Sequence, residues 1–214
     1  MKVGLLFILV LLVSANACAP KIYQAPDFEK NTRRHKLVAV LPANVSLKLR
    51  PNQMKKMTQE QIVDEEMKTG YEIQNAIYGW LLRRSGKFAY TVRFQDVTKT
   101  NSILKESGIE YADIPYKDRA KLAQILGVDA IIQDHTSMEK PMSEGAAIVL
   151  GALLGFWGST NQVMTNIDIH DGDSGDLLWK FDYHLSGSAG STPNQLVNAL
   201  MRSAARKFPY QKSK

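Results

Sequence analysis

Apolar residues recur at helical spacing over one long stretch of the chain and alternate over several short ones, and that contrast sets the expected architecture. Between Thr58 and Ser85, Val63, Met67, Gly70, Ile73, Ile77, Trp80 and Leu81 share one face of a helix. Thr58 and Gln61 make a capping box in front of it, and Arg83, Arg84 and Gly86 give it a basic, glycine-closed end. Two shorter helices are expected, Ser102 to Ser107 stopped by Gly108, and Tyr116 to Leu126 opened by Pro115 and closed by Gly127. Strands are expected at 36–41, 88–94, 129–136, 162–170 and 176–186. The last two flank Asp171-Gly172-Asp173-Ser174-Gly175, a strong hairpin signal, with Leu177, Trp179, Phe181, Tyr183 and Leu185 on one face. A final helix opens at Thr192, Pro193 and Gln195 and buries Val197, Met201, Ala204 and Phe208. Asn44 to Met57 reads as loop, and Ala19 to Arg34, without apolar period, as a flexible tether. The order of elements implies a single α/β domain, a mixed, roughly five-stranded sheet flanked by helices, ending in a β-hairpin and a helix.

Two apolar runs fall outside this scheme. Lys2 precedes an almost unbroken apolar run from Val3 to Val13, followed by small residues and then Cys18, the only cysteine in 214 residues. The run is too short to cross a hydrocarbon core, which needs around twenty residues, and reads as a secretory signal. Ala15-Asn16-Ala17-Cys18 resembles the bacterial lipobox. That likeness implies cleavage between Ala17 and Cys18 and a diacylglyceryl group on the Cys18 sulfur; a plain signal cut at Ala17 is the alternative. Domain boundaries follow: signal peptide 1–17, lipidated tether 18–35, domain 36–210. Diacyl and amide-linked chains together exceed the two hydrophobic signals that stable anchoring needs.

The second run, Gly145 to Gly158, is free of charge and also too short to span as a helix. In a helix Ala147, Gly151 and Gly155 would line one face where another backbone can approach, beside the large apolar surface of Phe156 and Trp157. These five residues are the expected self-association or membrane contact, against the alternative of a buried core segment.

Charge and chemistry alter this picture little. The net charge of +6 gathers at Arg33 to Lys36, Arg83 to Lys87 and Arg202 to Lys214. On an exported protein such charge meets anionic lipid or cell-wall polymer, so no nucleic-acid partner is expected. Asp171, Asp173 and Asp176, with Asp168 and His170 before them, invite a divalent-metal reading, but the spacing lacks the glycine and closing glutamate of a calcium loop. The four histidines, His35, His135, His170 and His184, show no paired ligand spacing and read as surface or cross-strand residues. Ser186-Gly187-Ser188-Ala189-Gly190-Ser191 does not fit a nucleophile elbow. No catalytic residue, metal or cofactor is expected.

Several blocks together resemble the bacterial envelope lipoproteins built on the domain found at the N-terminus of TolB, the CsgG, LpoB and PelC-like family. Leu37-Val38-Ala39-Val40-Leu41-Pro42 is similar to that family's opening strand, with Ala43 where phenylalanine is usual. Gly70 to Leu82 and Ser102-Ile103-Leu104-Lys105-Glu106 resemble its helices, Lys121 to Ile132 its helix–glycine–strand block, and Asp168 to Trp179 its hairpin. The resemblance implies a non-enzymatic, lipid-anchored periplasmic component of envelope assembly or export, acting through protein contacts, as a homo-oligomer or with an envelope partner. Ala19, in place of the aspartate that marks inner-membrane retention, points to the outer membrane. A pore-forming secretion subunit and a ligand-binding envelope lipoprotein are the alternatives.

Overall fold

The computed structural model describes residues 21–49, 51–55, 57–85, 90–139, 162–186, 193–205 and 207–211. Seven strands form one open mixed sheet: β1 (Ile22–Gln24), β2 (Leu37–Val40), β3 (Asn44–Lys48), β4 (Arg93–Phe94), β5 (Ala130–Glu139), β6 (Gln162–Asp171) and β7 (Leu177–Ser186). They lie in the order β1-β7-β6-β5-β2-β4, with β3 beside the second half of β5. β2 and β4 are parallel, both β2 and β3 run parallel to β5, and the remaining pairs are antiparallel. The expected α/β class and mixed sheet are therefore observed, with seven strands rather than five.

Alternation along β5 decides where each helix packs. Val38, Val40, Ala130, Ile132, Met138, Val163, Ile167, Ile169, Trp179 and Phe181 project to one face, under α3 (Gln59–Ser85) and α6 (Pro193–Ala204). Ala39, Leu41 and Ile131 project to the other, under α4 (Val97–Glu106), a 3-10 turn (Tyr111–Tyr116) and α5 (Arg119–Leu126). The capping box of α3 forms as read, Gln61 N donating to Thr58 Oγ1 at 3.2 Å and Thr58 N to Gln61 Oε1 at 3.0 Å. Gly127 closes α5 in the left-handed conformation, φ 65°.

The structure corrects several expectations. Residues 21–35 are not tether: β1 pairs with β7, and α1 (Phe28–Thr32) follows it. A three-residue strand is too short to show a period, and it forms because the β7 edge supplies partners, Ala25 N donating to Leu178 O at 2.9 Å and Asp182 N to Lys21 O at 3.0 Å. Residues 44–57 are not simply loop, since Val45 and Leu47 are buried in β3 and Pro51–Met54 forms the short α2. Of the strand expected over 88–94 only Arg93–Phe94 pairs within the sheet, and residues 86–89 lie outside the described set. The helix expected from Ser102 begins at Val97, because Asp96 accepts from Thr98 N and Lys99 N. The helix expected from Tyr116 is two elements, and Asp118 rather than Pro115 caps α5. In α3 the early buried positions are Ile62, Glu65 and Thr69, which leaves Val63 41 % exposed and Met67 half-buried. A bulge at Ile169/His170 pairs His170 with Leu177 and Ile169 with Trp179, so Leu177 leaves the face shared by Trp179, Phe181, Tyr183 and Leu185.

Candidate functional site

No helix covers the second half of the α4/α5 face among the described residues, and there the sheet presents polar groups. By register, His135 and Ser137 of β5, Met164, Asn166 and Asp168 of β6, and Lys180, Asp182 and His184 of β7 share that open face. Lys180 Nζ lies 3.0 Å from Asp168 Oδ1 and 3.6 Å from Asp182 Oδ1. His135 Nε2 stands 3.8 Å from Asp168 Oδ2, while Asn44 Nδ2 donates to His135 Nδ1 at 3.3 Å. Burial is the main influence on His135 and lowers its pKa; Asp168 pulls it upward, and Lys180, Arg119 and His170 add to the lowering. Burial likewise lowers His170, whose Nδ1–H donates to Gly175 O at 3.1 Å. The charged groups of this face largely satisfy one another, Asp168 pairing with both His135 and Lys180.

A cavity of about 650 Å³ opens on this region. Its lining includes Asn44, Ser46, Ser137, Met164, Asn166 and His184. Among the described residues, Ser137 Oγ and Asn166 Oδ1 are shielded from solvent with no hydrogen-bond partner, as are both amide atoms of Gln133 on the same strand face. Buried polar atoms without partners are uncommon and favour a site that receives hydrogen-bonding groups from outside.

The acidic hairpin turn serves a different purpose from the metal reading. Asp171 is buried, and its Oδ1 accepts from His35 Nε2 at 2.9 Å while His35 Nδ1 stands 2.8 Å from the Tyr210 hydroxyl. Its Oδ2 accepts from Ser174 N at 2.9 Å. Burial alone would raise the Asp171 pKa, but the bonds from His35 and Ser174 outweigh it and hold the carboxylate below its ordinary value. Burial raises the Tyr210 hydroxyl, with Asp171 and Asp129 adding to the rise. Asp173 points instead to Arg34 at 3.1 Å. His35, read as a surface or cross-strand residue, is thus a buried staple joining the start of β2, the hairpin and the C-terminal segment. Tyr210, at φ 71°, is held in the left-handed region beside it.

No family model and no curated protein matches this chain. Among solved structures the chain is similar to lipoprotein GNA1162 from Neisseria meningitidis, with 19% identity and a TM-score of 0.43 over 80% of this chain and 99% of that one. It is similar to the PelC dodecamer from Paraburkholderia phytofirmans, with 12% identity and a TM-score of 0.42 over 91% and 98%. It is also similar to the LpoB C-terminal domain from Salmonella enterica, with 8% identity and a TM-score of 0.35 over 71% and 83%.

Of the residues singled out from sequence, Ala17, Cys18, Ala147, Gly151, Gly155, Phe156 and Trp157 lie outside the described residues. Among the described residues no helix is long and apolar enough to cross a membrane. The open polar face escaped the sequence reading because its residues are scattered over β3, β5, β6 and β7 and meet only through strand register. Alternation on β5 and β6 was its one available signal.

Proposed function

We propose that the chain is a lipid-anchored envelope protein, attached to the outer membrane through Cys18, facing the periplasm, and acting without catalysis as an assembly or export component through its open sheet face. The observation that carries the reading is topological. Glu139, the last residue of β5, pairs with Gln162, the first of β6, and Gln162 pairs with Ser186, the last of β7. The described residues on either side of segment 140–161, which contains the apolar residues 145–158, therefore both lie at this end of the sheet. β1 runs antiparallel to β7, so its N-terminus is directed to the same end, and Cys18 precedes Ile22 by only four residues. Four residues reach at most about 14 Å. Ile22 itself pairs with Phe181 at mid-sheet, so the two segments with expected membrane affinity are directed to the same end of the domain from different levels of the sheet.

Metabolic labelling with a radioactive fatty acid tests the anchor. Label should enter the wild type and be absent from Cys18→Ser; an unlabelled wild type overturns it. A photo-crosslinker placed at Met164, 36 % exposed on the open face, tests the role in intact cells. A discrete protein adduct is the expected result. The unpartnered Ser137 and Asn166 atoms favour a second reading, a ligand-binding lipoprotein, and crosslinking to small molecules with no protein adduct would replace the first reading with that one.

A further inference from the structure

Asp134 is 1 % exposed and lies on the β5 face that packs under α3 and α6. Thr136 Oγ1 is 2.6 Å from Asp134 Oδ1, Thr165 Oγ1 is 2.9 Å from Asp134 Oδ2, and the two hydroxyl oxygens are 2.8 Å apart. Each of these oxygen–oxygen contacts needs one proton between its atoms, whereas the threonine hydroxyls carry one proton apiece. An ionised carboxylate only accepts. With Asp134 charged, one of the three contacts would therefore set lone pair against lone pair. A carboxyl proton closes the ring in either direction.

We propose that Asp134 is held as a neutral acid in the folded protein, and that the ring it forms with Thr136 and Thr165 is a proton-dependent latch between β5 and β6 that loosens as pH rises. Burial, the largest influence, drives the Asp134 carboxyl from 3.8 to about 7, the two hydroxyls pulling it down and Asp168 adding to the rise. Asp168 acts from the opposite face of the sheet, where His135 and Lys180 also lie. On the Asp134 side α3 contributes Glu65 and Glu66, the 3-10 turn Tyr111 and β7 Tyr183, while Arg202 of α6 is exposed.

A raised carboxyl means that the folded state binds more protons than the unfolded chain between about pH 4 and 7, so stability falls as pH rises through that window and levels off above it. His135 and His170 act with the opposite sign. Their lowered pKa values make the fold gain stability as pH rises towards 6.5. The direction of the change therefore separates the latch from the histidines.

The test compares the full-length protein with Asp134→Asn in detergent, by chemical denaturation from about pH 5 to about pH 8. The amide retains a donor and an acceptor and so imitates the neutral acid. Relative to Asp134→Asn, the folding equilibrium constant of the wild type should fall about tenfold per pH unit below the folded pKa. Parallel pH profiles, or an Asp134→Asn variant less stable than wild type at the alkaline end, would overturn the latch. Should that variant not fold, carbon-13 NMR of the wild-type Asp134 carboxyl decides alone. A protonated shift at about pH 5 that titrates near neutrality is expected, and an ionised shift at that pH refutes the proposal.

Discussion

Gly70 shows how one missing atom fixes the distance between α3 and the sheet. A Cβ there would collide with the Ala43 carbonyl oxygen and would meet the Tyr111 hydroxyl at 2.6 Å, and Ala43 N already donates to Gly70 O at 3.1 Å. Gly70→Ala should therefore destabilise by about 1–3 kcal/mol, the usual cost of forcing extra volume into a packed site. Gly79 lies in the same helix, but its nearest obstacle would be the flexible end of Arg83 at 3.4 Å. Gly79→Ala should stabilise by about 0.5–1 kcal/mol, because glycine in a helix interior carries an entropic penalty. Chemical denaturation of the two variants checks both signs, and equal effects would show that the close approach is not limiting. Gly70 was legible in sequence as part of a helical stripe, but not as a contact point. Asp134 was not legible at all, because a lone aspartate between Gln133 and His135 reads as a solvated position until Thr165 is brought opposite Thr136.

At the scale of elements, the strands most readily missed are those whose edges are completed by side chains. β3 presents its outward Val45 N–H to the Tyr111 hydroxyl at 3.2 Å and its Leu47 N–H to Glu66 Oε1 at 2.8 Å. Those contacts block the edge against strand addition. The pattern Val45-Ser46-Leu47-Lys48 does alternate, but it is brief and lies close to Pro51, so turn residues masked it. By contrast β5, β6 and β7 are ten residues each, β5 legible as an apolar run and β6 and β7 by their clean alternation. Even there the Ile169/His170 bulge displaced Leu177, because a bulge leaves alternation intact on either side of itself. Glu66→Leu should cost about 1–3 kcal/mol by orphaning the Leu47 amide, whereas Glu66→Gln keeps an acceptor and should cost little. Hydrogen exchange provides the specific readout: faster exchange at Leu47 in Glu66→Leu is expected, and an unchanged rate would show that the edge is closed by something else.

For the whole molecule, the length of the sheet turns the proposed anchor into an orientation. β5 runs ten residues from Ala130 to Glu139, about 30 Å at strand rise. The hairpin turn at Asp173 stands at the start of that run, since Ala130 pairs with Asp171, and Lys48 stands at its end, since Lys48 pairs with Glu139. β1 begins level with Asp134, midway along that run, and its N-terminus is directed to the Lys48 end, so an anchor four residues earlier would place the Lys48 end nearer the bilayer than the Asp173 end. This differs from the flexible tether over residues 18–35 that the sequence suggested, and the difference arises because β1 and α1 take up residues assigned to the tether. Labels on Lys48→Cys and Asp173→Cys, each in the acylated protein reconstituted with headgroup-quencher lipids, measure the orientation directly. Quenching should be strong at position 48 and weak at position 173. A flexible insertion of about twenty residues after Ala19 should abolish the contrast, since the r.m.s. reach of such a linker, about 25 Å, rivals the length of the sheet. Equal quenching at the two positions without the insertion would show that the short connection does not orient the domain, whether or not Cys18 carries lipid.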